Sequence, residues 1–118
     1  MFVKTIEWLL QDTNPSVKYW TLRDLLGNPD DDLQIQKARK RIAQQDAVEK
    51  ILSQQHEQGF WGNSQKLWGY DNTGFQLLLL SELGLERNSR IEKAVKHVLS
   101  FQQEDGSFGS VLKKKKEA

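Results

Sequence analysis

A chain of 118 residues, 37% hydrophobic and 28% charged, has the length and composition of one globular domain. Its net charge of +1 gives no overall pull toward nucleic acid or an anionic membrane. The absence of cysteine excludes a disulfide framework, a thiolate nucleophile and a cysteine zinc site, and the longest apolar run, Leu77–Leu80, is far short of a membrane span.

The opening MFVKTIEWLLQD is interrupted by Lys4 and Glu7 and does not have the pattern of a signal peptide, so a cytoplasmic location is expected. Phe2, Val3, Ile6, Leu9 and Leu10 recur at helical spacing and predict an amphipathic helix over about 2–11. Trp8 lies off the centre of that stripe, which suggests a second contact surface. Asn14 suits a helix cap and Pro15 the first helical position, so a second helix is predicted from about Pro15 to Leu26, closed by Gly27 and Pro29. Its apolar residues Val17, Tyr19, Trp20, Leu22, Leu25 and Leu26 cover much of its circumference, as in a helix packed on more than one side.

Asp30-Asp31-Asp32 opens the third helical region, where negative charge suits the helix dipole. An apolar stripe from Leu33 to Leu52, with Lys37, Arg39, Lys40 and Arg41 on a basic outer face, fits one helix or two; Asp46 and Glu49 could box the start of a second. Gly59–Ser64 is loop by composition, and Leu67, Trp68 and Tyr70 are expected to fold back over helix ends. Thr73 with Gln76, and Ser89 with Glu92, are further capping-box pairs. The helix from Phe75 to Leu85 is apolar nearly all round, and is expected to be the most buried, with Gly84 as its stop. Ile91, Ala94, Val95, Val98, Leu99 and Gln102 mark one face of the last helix. No stretch alternates with period two, so the fold expected is all-α: five or six helices in antiparallel hairpins, one domain over 1–112, and a disordered basic tail over 113–118.

One stretch occurs twice. Ile51–Gly62 (ILSQQHEQGFWG) returns as Val98–Gly109 (VLSFQQEDGSFG), 47 positions later, within repeat units of about 44–62 and 91–109. Leu52, Ser53, Gln55, Glu57, Gly59 and Gly62 recur as Leu99, Ser100, Gln102, Glu104, Gly106 and Gly109. Self-similarity at this period marks stacked helical units. The glycines permit a sharp return after a helix, the aromatic ring of Trp61 or Phe108 lies back along the last turn, and the glutamine amide bonds free backbone groups there. Gln55, Gly59, Trp61, Gln102, Gly106 and Phe108 are therefore expected to form two structural clamps.

The pattern Gln55-x-x-x-Gly59-x-Trp61, and with Phe for Trp Gln102-x-x-x-Gly106-x-Phe108, resembles the QW motif of the squalene and hopene cyclases, within the α/α toroid superfamily that includes the prenyltransferases. Tyr70–Gly84 is similar to an inner helix of such proteins, and the resemblance covers about 47–109. It implies part of a toroid with a site for an apolar, isoprenoid-like ligand. The departures are large. The acidic D-x-D-D motif of the hopene cyclases is absent, as is the zinc-ligand set of the protein prenyltransferases. No catalytic residue, metal ligand or cofactor is assigned. Trp68, Tyr70 and Phe75 are the candidate ligand-binding residues, as the rim of a cavity, although core packing is the commoner use of such aromatics. His56 and His97 lack ligand-spaced partners. The expected function is a toroid-like repeat domain that is not catalytic alone and binds an apolar ligand or another copy of itself as a homodimer. Two alternatives stand beside it: a fragment or subunit of a terpene cyclase, completed by a larger toroid partner, and a HEAT-like protein-interaction module suggested by Asn14–Leu26. A groove lined by helix two would favour the last.

Overall fold

The structure, a computed structural model, describes residues 2–109; the basic tail 113–118 lies outside the described residues. The fold is all-helical: α1 is Phe2–Leu9, α2 Pro15–Trp20, α3 Leu33–Ile42, α4 Asp46–Ser53, α5 Thr73–Glu82 and α6 Ser89–Leu99. No strand forms among the described residues, which include an isolated antiparallel bridge, Gln102–Phe108. No helix among them is long and apolar enough to cross a membrane.

The chain divides into two compact units. Among the described residues one comprises 2–49 and 81–86, the other 50–80 and 87–109, so the boundary falls inside α4 and inside α5.

In the first unit α2 packs on α3 around Tyr19, Leu22, Ile35, Ala38 and Ile42, all buried. Asn14 caps α2, its side chain accepting from the Val17 N–H, with Pro15 at the first helical position. The predicted single helix 15–26 changes character after Trp20. Thr21–Leu25 is one π-helical turn, with the Leu26 N–H donating five residues back to the Thr21 carbonyl at 2.9 Å. The Thr21 hydroxyl donates to the Val17 carbonyl at 2.7 Å, a bond that competes with the regular helical ladder. Gly27, at φ 68°, then turns the chain as expected. Asp32 caps α3, accepting from the Gln34 and Ile35 N–H groups, while Asp30 pairs with Arg23 at 3.3 Å.

The region 33–55 is two helices. The break is a tight turn in which the Gln44 and Gln45 N–H groups bond three residues back, to Arg41 and Ile42. At all three expected capping boxes the cap falls one residue early. The Glu49, Gln76 and Glu92 N–H groups bond the carbonyls of Gln45, Asn72 and Asn88, leaving Asp46, Thr73 and Ser89 as the first helical residues. Asn88 also accepts the Ile91 N–H on its side chain.

In the second unit Trp61, Leu67, Thr73, Leu80, Ala94 and Phe101 are buried. The expectation that α5 is the most buried helix fails. Of its four consecutive leucines only Leu80 is fully covered, and Leu78 is 49% exposed. Successive helical residues are about 100° apart, so a run of four faces all round the axis and one core can cover only part of it.

Candidate functional site

The groove beside α2 begins with the orphan carbonyls at the end of α5. A helix C-terminus leaves its last C=O groups without intrahelical donors. Side chains from α2 and α3 supply them. The Ser16 hydroxyl donates to the Leu83 carbonyl at 2.6 Å, the Trp20 indole Nε1–H to Glu82 at 2.9 Å, and the Arg39 Nε–H to Gly84 at 3.4 Å. The Arg39 guanidinium lies 5.1 Å from the centre of the Tyr19 ring, so this member of the basic face is drawn inward. Gly84 permits the approach. Its φ is 83°, and a Cβ there would sit 3.0 Å from Tyr19 and 3.1 Å from Ile42.

Alongside these bonds runs an open groove of about 550 Å³. Val17, Trp20, Leu25 and Leu83 give it an apolar lining, and Asn14, Ser16, Thr21, Asp24 and Glu82 complete it. The π turn contributes Thr21, Asp24 and Leu25 to the same wall, and Leu25 is 62% exposed. The Leu83 and Glu82 carbonyls are already occupied, so the groove offers apolar contact edged by two carboxylates. Sequence reasoning did not assign these residues as a site. The signal was Leu25, an apolar position on a predicted helix too short to bury every side.

A second, smaller recess of about 210 Å³ brings together Lys18, Lys37 and Arg41 with Asp12. Asp12 accepts from Lys18 at 2.7 Å and lies 3.3 Å from Arg41. The Lys18 hydrogen bond, with its charge, holds the Asp12 carboxyl below its ordinary value. The carboxylate thus offsets part of the positive charge there.

In the second unit Trp68, Tyr70 and Phe75 lie around the start of α5. The Tyr70 and Phe75 rings meet edge-on at 5.2 Å, and Gly74 lets the Trp68 ring lie close to the helix. Trp68 is 54% and Tyr70 80% exposed; Phe75 is half-buried. The side chain of Asn72 pins the loop beneath them, accepting from Asn63 N–H and donating to the Trp68 carbonyl.

The same five hydrogen bonds recur at the two glutamine–glycine motifs. The Gln55 side-chain amide donates to the Gly59 carbonyl at 2.9 Å, and Gln102 to Gly106 at 3.1 Å. His56 N–H donates to Phe60 and Gly59 N–H to His56, both at 2.8 Å; the counterparts are Gln103 to Ser107 at 2.7 Å and Gly106 to Gln103 at 2.9 Å. The helix-ending bonds of Gln54 and Gln55 recur at Phe101 and Gln102. Gly59 and Gly106 have φ of 104° and 89°, where a side chain would be strained.

The first clamp makes further bonds. The Trp61 indole N–H donates to the Ile51 carbonyl at 2.7 Å, and its backbone N–H to the buried Thr73 hydroxyl at 3.0 Å. Gln55 donates also to the Arg90 carbonyl of α6 at 3.0 Å. Phe108, with no N–H on its ring, is 45% exposed.

Near the clamps the imidazole of His97 lies between Phe60 and Phe101, each ring 5.4 Å away, and Phe60 stacks on His56 at 4.3 Å. His97 Nε2 is buried and finds no partner among the described residues. Burial lowers its pKa from the ordinary histidine value, against a smaller raising effect of the Ser64 backbone. No group of three or more His, Cys, Asp or Glu able to hold a metal occurs among the described residues.

No protein family, curated protein or solved structure matches this chain.

Proposed function

We propose that this chain is a helical-repeat binding module, built like part of a squalene-cyclase or prenyltransferase toroid, that takes an apolar ligand rather than catalysing a reaction alone. The apolar ligand is read from the groove on α2 and its π turn, a groove that also meets the expectation set out for the HEAT-like alternative. Its wall of Val17, Trp20, Leu25 and Leu83 presents apolar surface in an open groove, which suits a flexible hydrocarbon ligand. The repeat at 47 positions supports the likeness to the toroids.

Farnesol titrated into the protein tests it. Binding in the groove moves the amide signals of Val17, Thr21 and Leu25 and saturates, and Leu25→Asp abolishes the effect. Absence of any shift there removes the ligand reading; turnover of squalene or a prenyl diphosphate by this chain removes the non-catalytic one.

A second reading, a HEAT-like interaction module, is favoured by the same groove because helix two lines it and Asp24 and Glu82 edge it. It calls for a basic amphipathic helix in the groove. A lysine-flanked helical peptide that shifts Val17 and Thr21 where farnesol does not would decide for it. Self-association is also part of the proposal, since stacked hairpins leave apolar residues such as Leu78 and Leu99 uncovered. A monomer by light scattering at high concentration removes that part.

A further inference from the structure

We propose that the face formed by Leu99, Gln102, Gly106 and Phe108 is a docking site for a helix built like α6 and carried by another polypeptide chain. The argument rests on the repeated-unit reading and is independent of the groove on α2.

The first clamp shows what such a face receives. α6 lies against it through three polar contacts: Gln55 donates to the Arg90 carbonyl at 3.0 Å, Arg90 donates to the Leu52 carbonyl at 3.3 Å, and Lys93 to the Glu57 carbonyl at 3.4 Å. Gly59 makes room for it, since a Cβ there would stand 2.8 Å from the Lys93 backbone. The helix that fits therefore opens Arg-x-x-Lys, followed by a small residue; in α6 that residue is Ala94, which is fully buried.

The second clamp presents the same groups in the same register. Its amide is Gln102, its carbonyls are Leu99 and Glu104, and its glycine is Gly106. The five internal bonds recur, so the groups are held as they are in the first clamp. Among the described residues the space is open: a Cβ on Gly106 meets only the Gln102 side chain, at 3.9 Å, where at Gly59 a helix backbone stands. Leu99 is 52% and Phe108 45% exposed, whereas Trp61 in the first clamp is 2% exposed. An incoming helix would cover both apolar groups and take the second N–H of the Gln102 amide on a first-turn carbonyl.

An acetylated, amidated peptide spanning Glu86–Phe101 is titrated into 15N-labelled full-length protein. Saturable shifts at Leu99, Gln102, Gly106 and Phe108 are expected. Binding should weaken about tenfold in Leu99→Asp and in Gln102→Ala protein, and for a peptide carrying Arg90→Glu and Lys93→Glu. Equal binding of a scrambled peptide, or no saturable shift, overturns the proposal. So does weakening by Gln55→Ala but not by Gln102→Ala, which would mean that the peptide displaces α6 from the first clamp. Binding seen only after removal of residues 110–118 also overturns it, because the occupant would then be the chain's own tail.

Discussion

The two clamps share a motif, a register and five hydrogen bonds, and they differ in what lies around them. The first is sunk in its unit, with Trp61 buried, its indole bonded to Ile51 and Gln55 reaching across to α6. The second closes on itself through the Gln102–Phe108 bridge and keeps its ring half in solvent. Identical local chemistry can therefore be a keystone in one place and a surface feature in another. The motif fixes the turn, and the neighbours decide what the turn contributes to stability.

That difference predicts unequal responses to matched substitutions. Trp61→Ala should be the most damaging, at about 3–5 kcal/mol for a buried large aromatic, and should lower the thermal midpoint sharply. Phe108→Ala should cost well under half as much, since only part of its ring leaves water. Equal midpoints for the two variants would break the comparison. Next come the glycines. Gly59→Ala places a methyl 2.8 Å from the Lys93 backbone at a positive φ, whereas Gly106→Ala meets only the positive φ. The second should cost about 1–2 kcal/mol in urea unfolding and the first clearly more.

The clamps were legible because they depend on local chemistry: a glutamine four residues before a glycine can close a loop wherever it stands. The all-helical class was legible for a similar reason, since helical periodicity is written within each segment. Three things were not. The caps fall at Gln45, Asn72 and Asn88 because the residue before each expected capping box takes the cap position, and sequence spacing alone does not locate the first turn. The π turn depends on how the Thr21 hydroxyl and the end of α2 settle. The partial exposure of α5 depends on how much apolar surface the rest of the chain can set against Leu77–Leu80, a tertiary quantity. The groove on α2 belongs to that last kind: helix two was expected to meet more than one neighbour, but only the return of Glu82 and Leu83 to the same place makes a wall.

Smaller effects sharpen the contrast. Gln55→Ala removes bonds to both Gly59 and Arg90, and Gln102→Ala removes one bond, to Gly106. At about 0.5–1.5 kcal/mol for each hydrogen bond, the first should lower stability about twice as much as the second in chemical denaturation. Similar losses would mean that the Arg90 contact contributes little.

The smallest effect is a pH dependence centred on His97, whose ring lies between Phe60 of the first clamp loop and Phe101 just before the second. Burial lowers its folded pKa, so the folded state binds its proton less readily than the unfolded chain does. The stability this neutral ring supports is present above the unfolded value, near 6.5, and is lost as pH falls from there through the lowered folded value. Urea unfolding at pH 7.5 and at pH 5.5 should show the parent protein weaker at the lower pH. His97→Phe keeps an aromatic ring against Phe60 and Phe101 and has nothing to protonate, so its loss over the same interval should be smaller. An equal loss in the variant would place the titrating group elsewhere and leave His97 as packing alone.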